Sequence, residues 1–212
     1  MLHKVVIADY GSGNTRSMYN ALCKVRRPDQ EILLSNDPVT IWEAERVVLP
    51  GVGAFAECRR KLDASGVLPA IQACVQHGKP FLGVCVGMQV LADEGQEFEI
   101  CPGLGWFPGV TRRIEFAEGY TGPRRLPHVA WSPVEFRPSP LFAGLRLGEL
   151  FYFVHSFILD CRDPSAVIAT ASYGEDFAAA VQRDNLFACQ FHPEKSAEAG
   201  LQLLENFCRW QP

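Results

Sequence analysis

The chain has 212 residues, 48% of them apolar and 21% charged, which is enough for one full hydrophobic core, and a single domain is expected over residues 1–212. The net charge of −4, with no basic run, argues against nucleic acid or an anionic membrane surface as partners, and no apolar stretch is long enough to span a bilayer. Met1-Leu2-His3-Lys4 leads into a strand pattern rather than a signal peptide, so the cytoplasm is the expected compartment.

In chain order, Lys4–Asp9 reads as a buried strand, followed by Gly11-Ser12-Gly13-Asn14 and a helix over Thr15–Val25 with apolar Met18, Leu22 and Val25. The Gly-x-Gly lacks the third glycine of a dinucleotide fingerprint, so it reads as a tight functional loop, and no cofactor is expected. Strands Glu31–Leu34 and Arg46–Leu49 come next, then Pro50-Gly51-Val52-Gly53-Ala54, helices near Phe55–Leu62 and Leu68–His77, and a strand from Pro80. This alternation predicts an α/β fold: an open, mostly parallel, doubly wound sheet with helices on both faces. From Gly103 to Arg137 the pattern turns to Gly, Pro and aromatic residues, which predicts an antiparallel hairpin region. Further strands are predicted over Glu149–Leu159, Ala166–Ser172, Phe177–Gln182 and Leu186–Phe191, and a final helix over Ser196–Trp210 with Ser196 as its cap.

Pro80–Asp93 concentrates the chemistry. Its first five residues read as a strand and its last six as the start of a helix, placing Cys85 on the turn in a Gly83-Val84-Cys85-Val86-Gly87 pattern. Gly-x-Cys-x-Gly has the form of a nucleophile elbow, and a thiol at a helix N-terminus has its thiolate favoured by the dipole and free N–H groups. A lone cysteine in an apolar strand is more often a small buried hydrophobe, and close strand–helix packing can need such glycines without any chemistry. The eight cysteines are scattered, with no Cys-x-x-Cys pair, so reduced buried thiols are expected for the other seven. Without clustered His, Cys or carboxylate spacing, no metal site is expected.

A cysteine nucleophile needs a base and a group to orient it. His3 precedes the first strand, His77 closes a helix before Gly78, and His128 has no carboxylate nearby in sequence. His155 lies in Phe151-Tyr152-Phe153-Val154-His155-Ser156-Phe157, where alternation puts it on one face with Phe151, Phe153 and Phe157, which suits a packed core histidine. His192 differs: Glu194 follows across Pro193, and in an extended segment the two side chains face the same way, so the carboxylate can fix the imidazole. The alternative is a His-Pro-Glu turn that only starts the last helix.

Gly83-Val84-Cys85-Val86-Gly87-Met88-Gln89 together with His192-Pro193-Glu194 resembles the class I glutamine amidotransferases. Asp9-Tyr10-Gly11-Ser12-Gly13-Asn14, Pro50-Gly51-Val52-Gly53, Tyr152-Phe153-Val154-His155-Ser156 and His192-Pro193-Glu194-Lys195-Ser196 narrow the likeness to glutaminase subunits of imidazole glycerol phosphate synthase. One motif departs: Pro127-His128-Val129-Ala130-Trp131-Ser132 stands where that family usually has Pro-His-x-Gly-Trp-Asn. The resemblance implies a glutaminase acting on L-glutamine, with Cys85 as nucleophile, His192 as base and acid, and Glu194 orienting it. It implies oxyanion donors at Val86 and in Val52–Gly53, and glutamine held by Gly53, Gln89, His155 and Ser156. It also implies ammonia transfer to a (β/α)8-barrel cyclase subunit in a heterodimer, with Asn14, Trp131 and Lys195 at the interface and the Lys195 ammonium resting on the Trp131 indole. Two readings stay open beside it: a cysteine peptidase or γ-glutamyl hydrolase on the same fold, and a structural subunit that keeps the triad residues without using them. Another ammonia acceptor is a further variant of the first reading.

Overall fold

The computed structural model of the protein describes residues 2–212. The strands are β1 (His3–Ala8), β2 (Gln30–Ser35), β3 (Arg46–Gly51), β4 (Phe81–Cys85), β5 (Glu94–Gly95), β6 (Cys101–Pro102), β7 (Gly109–Arg113), β8 (His128–Phe136), β9 (Glu149–His155), β10 (Phe157–Cys161), β11 (Val167–Tyr173), β12 (Glu175–Arg183) and β13 (Leu186–Cys189). The helices are α1 (Thr15–Val25), α2 (Pro38–Trp42), α3 (Phe55–Ala64), α4 (Leu68–Gln76), α5 (Val86–Gln89) and α6 (Ala197–Arg209).

A nine-stranded sheet runs in the order β2-β1-β3-β4-β13-β12-β11-β8-β9, and a four-stranded sheet, β10-β7-β5-β6, lies beside it. The large sheet is parallel from β2 to β13 and antiparallel from β13 to β9, so the predicted α/β architecture holds and the antiparallel strands extend the same sheet. The parallel strands β3 and β4 are buried along their whole length, as strands covered on both faces must be. The path turns left from β1 to β2, then right past β1 to β3 and on to β4; right-handed crossovers therefore put α1 on one face and α2–α4 on the other. Helix packing agrees, since α1 meets α6 and α2 meets α4. The carboxyl ends of the neighbouring parallel strands β3, β4 and β13 lead into Val52, Cys85 and His192, on the edge where such sheets hold ligands.

Two elements differ from expectation. The helix after Cys85 is a single turn, because the carbonyls of Val90, Leu91 and Ala92 accept hydrogen bonds from the Leu104–Phe107 loop instead of continuing the helix. The predicted strand Glu149–Leu159 breaks at Ser156 into β9 and β10, which belong to different sheets. That break sends His155 and Phe157 into one corner, where the His155 Nδ1–H donates to the Phe157 carbonyl at 3.0 Å.

Candidate active site

Cys85 ends β4 with φ 55° and ψ −111°, a region that non-glycine residues rarely occupy. Holding it there costs about 1–3 kcal/mol, which the packed elbow must impose. The elbow turns against β3: a Cβ at Gly87 would overlap the Leu49 carbonyl, so only glycine allows this approach. With one helical turn after it, Cys85 gains little from a macrodipole, and the expected dipole effect is replaced by individual neighbours.

His192 follows β13, and its backbone is clamped. Its N–H donates to the Tyr152 carbonyl at 2.9 Å, while Ser196 Oγ donates to the His192 carbonyl at 2.7 Å and accepts from the Tyr152 N–H at 2.9 Å. Ser196 thus pins the turn and makes no side-chain cap to α6, contrary to the expectation from sequence. Pro193–Lys195 form a 3-10 turn, and this turn, rather than an extended run, brings Glu194 back to His192. The imidazole Nδ1–H donates to Glu194 Oε1 at 2.8 Å, with both side chains 2% exposed. His192 Nε2 has no hydrogen-bond partner among the described residues. Burial disfavours the charged ring, but the neighbouring Cys85 sulfur and the Glu194 carboxylate outweigh it and hold His192 well above its ordinary value.

The loop after β3 is tied down on one side. Tyr10 donates to the Pro50 carbonyl at 2.9 Å, and the Val52 carbonyl accepts from Ser12 Oγ at 2.8 Å and from Cys58 Sγ at 3.4 Å. In a trans peptide the Gly53 N–H then points the opposite way, and among the described residues neither the Val52 nor the Gly53 N–H donates a hydrogen bond. Gly53 has φ +112°, open only to glycine at low cost.

These pieces converge on a cleft of about 370 Å³ lined by Val52, Gly53, Cys85, Val86, Gln89, Glu97, Pro127, Val154, His155, Ser156, Phe157, His192 and Lys195. Sequence reading anticipated nine of the residues in this wall, with Glu194 behind His192. A larger groove of about 590 Å³ beside Phe136, Phe142 and Leu147 holds no titratable group, so the chemistry lies in the smaller cleft. Two residues were missed. Glu97 accepts from the Phe55 N–H at 2.8 Å, capping α3, and also borders the cleft; in sequence it hides in an acidic loop. Gln190 lies two residues before His192, and period-two spacing from His192 is the signal that would have found it. Gln89 spends both amide hydrogens within the protein, on the Phe157 carbonyl at 2.9 Å and Gln190 Oε1 at 3.0 Å, which leaves its oxygen for a ligand.

His155 is both cleft wall and core. With its Nδ1–H given to Phe157, its Nε2 accepts at 3.1 Å from His128 Nδ1–H, and His128 Nε2 accepts from Ser132 Oγ at 2.9 Å. Neither ring nitrogen is left to bind a ligand. Burial pushes His128 down to about 4 and His155 down to about 3. An unfolded chain protonates both rings below about pH 6.5 while the native state resists, so stability is present above that pH and is lost as pH falls toward 4. The expected loss by pH 5 is about 2 kcal/mol for each ring. Urea titrations at several pH values check this: wild type should lose stability between pH 7 and pH 5 faster than His128→Phe, and equal slopes would contradict it.

Of the three expected interface residues, Lys195 and Trp131 both meet Tyr152 and not, as expected, each other's side chain. Lys195 Nζ stands 5.8 Å over the Tyr152 ring rather than over Trp131, whose indole meets Tyr152 edge-on at 6.0 Å. Tyr152 therefore takes the place expected of the indole, because Trp131 and Tyr152 are cross-strand partners and Tyr152 lies nearer the turn. Trp131 is 48% exposed, and Asn14 precedes α1 without a side-chain cap.

The family model for glutamine amidotransferase class-I matches residues 6–210. The chain is 45% identical to the imidazole glycerol phosphate synthase subunit HisH of Caulobacter vibrioides, with 100% of both chains covered, and 44% identical to that of Dechloromonas aromatica, with 98% of this chain and 97% of the relative covered. Among solved structures, PurLQS from Thermotoga maritima aligns with a TM-score of 0.71 at 18% identity over 99% of both chains. The glutaminase domain of Trypanosoma brucei CTPS with bound acivicin aligns with a TM-score of 0.64 at 15% identity, covering 100% of this chain and 96% of the other. These two likenesses are of fold; the sequence relatives carry the assignment. A strained cysteine elbow, a carboxylate-backed histidine and end-to-end identity to curated relatives place this chain in the class I glutamine amidotransferase family, among the HisH subunits of imidazole glycerol phosphate synthase.

Proposed function

We propose that this chain is one glutaminase domain over residues 1–212 that hydrolyses L-glutamine to glutamate and ammonia and passes the ammonia to a cyclase subunit in histidine biosynthesis. The observation that carries this is the convergence of Cys85, His192 and its Glu194 carboxylate at one cleft, with His192 Nε2 and the N–H groups of the lining residues Val52 and Gly53 having no partner among the described residues. His192 Nε2 takes the Cys85 thiol proton, the sulfur attacks the side-chain amide carbon, and the oxyanion forms beside the N–H of Val86 and that of Val52 or Gly53. His192 gives its Nε2 proton to the departing nitrogen as the C–N bond breaks, releasing ammonia and leaving a glutamyl thioester. Water then adds, its proton goes to His192, and the C–S bond breaks to release glutamate and return the sulfur. The Glu97 carboxylate suits the α-ammonium of glutamine, with Gln89 Oε1, Gly53 and Ser156 completing the contacts. Eight free cysteines fit a reducing, cytoplasmic setting.

The partner reading is a heterodimer with a (β/α)8-barrel cyclase. An apolar outer sheet face supports it: Val129 with Val154, Trp131 with Tyr152 and Pro133 with Leu150 pair across β8 and β9, next to the cleft and Lys195. The test is ammonia release from glutamine with and without the barrel subunit, read together with the ratio of glutamate to cyclase product. Release coupled to cyclase product is expected; unchanged full activity without the partner, on peptides or γ-glutamyl compounds, would move the chain to a stand-alone hydrolase. Lys195→Ala and Trp131→Ala should leave labelling of Cys85 near normal in the complex while glutamate outruns cyclase product. A ratio held at one to one in both variants would remove these side chains from coupling.

A further inference from the structure

Gln190 touches the sulfur that the reaction uses. Its side chain is fully buried, and its Nε2 stands 3.6 Å from Cys85 Sγ. The hydrogen-bond chain behind it fixes which way the amide faces. The Phe157 carbonyl can only accept, so the end of Gln89 that meets it at 2.9 Å is the NH2 group. That same nitrogen lies 3.0 Å from Gln190, whose atom there must be the carbonyl oxygen. Gln190 is left with its NH2 group turned to the sulfur.

The geometry points to Gln190 as a further catalytic residue, a neutral N–H donor that holds Cys85 Sγ and stabilises its negative charge whenever the sulfur is a free thiolate. Hydrogen bonds to a charged acceptor are the strong ones, and a site closed to water makes them stronger. Charge leaves the sulfur when the thioester forms and returns when the C–S bond breaks, so the donor favours release of glutamate. Because an amide does not titrate, this support persists at pH values where His192 has lost its proton. Gln89 gains a second task, since its NH2 group orients Gln190 while its oxygen faces the cleft.

The inference rests on Cys85 being the nucleophile, and the experiment separates the two. Full-length wild type, Gln190→Met and Gln190→Glu are alkylated with iodoacetamide over a range of pH, with the modified cysteine located by mass spectrometry. In Gln190→Met the pH of half-maximal Cys85 alkylation is expected to rise by about one unit, the shift that corresponds to losing one charged hydrogen bond. Gln190→Glu keeps the acceptor for Gln89 but sets a carboxylate beside the sulfur, and its shift should be larger. Turnover of glutamine should fall about tenfold in Gln190→Met with KM little changed. If Gln190→Met does not fold by circular dichroism, Gln190→Asn, which stops a methylene short of the sulfur, is expected to give the same shift. A folded variant whose alkylation profile overlays wild type overturns the role of Gln190. Failure of a glutamine-like diazoketone to label Cys85 in wild type would instead overturn the nucleophile.

Discussion

Cys85→Ala is expected to abolish ammonia release from glutamine in the assembled enzyme, by on the order of 10⁴-fold or more, since removing a nucleophile leaves only the contribution of binding and the oxyanion donors. Cyclase product formed from added ammonium salt should be unchanged, because the substitution touches the glutamine half alone. In wild type a glutamine-like diazoketone should label Cys85 and no other thiol. The competing cysteines have physical reasons to be slow. Burial raises the thiols of Cys58, Cys74, Cys101 and Cys161, holds Cys189 well above the ordinary value, and pushes Cys208 up to about 11. Cys23 sits on α1 and does not line the cleft. Stoichiometric labelling of a different cysteine, with activity kept in Cys85→Ala, would sink the mechanism.

The sequence carried the parallel half of the fold and the chemistry at its edge, because both are local. Buried parallel strands are continuous apolar runs, and α1 matches its predicted range because Met18 and Leu22 repeat at helical spacing. The elbow and the His-Pro-Glu turn are short-range motifs, so Cys85, His192 and Glu194 were legible before any tertiary information. What failed were features decided by distant partners. Nothing near Val90–Ala92 announces that residues 104–107 will take the carbonyls that a longer helix needs. Ser196 has the composition and place of a cap, yet Tyr152 and the His192 carbonyl take its hydroxyl from 44 and 4 residues away. Glu97 joins the cleft only because the β5–β6 hairpin folds back toward α3, and Gln190 acquires meaning only when Gln89, 101 residues earlier, meets it. The altered motif around Trp131 is explained in part: Ser132 reaches His128 Nε2 with a hydroxyl, which closes the buried hydrogen-bond chain to His155. Ala130 has no comparable contact.

Glu194→Gln is expected to reduce glutamine turnover with the partner present by about 10²-fold to 10⁴-fold, less than Cys85→Ala or His192→Ala. The amide oxygen can still accept from His192 Nδ1–H, so the ring keeps its place. Two things are lost. The negative charge that helps hold the imidazolium disappears, leaving burial to pull His192 down against the Cys85 sulfur alone. In addition, Glu194 Oε2 lies buried with no partner among the described residues, and an NH2 group put there would bring hydrogens that nothing accepts. The sign of the pH effect follows from the first loss. A ring held well above its ordinary value by two neighbours drops when one is neutralised, so His192 gives up its proton at lower pH and the alkaline limb of the turnover profile moves toward acid. Rates of ammonia release measured across pH check both parts. Wild-type turnover together with an unmoved alkaline limb would mean that the Glu194 charge plays no part in the reaction and that the carboxylate serves only the turn leading into α6.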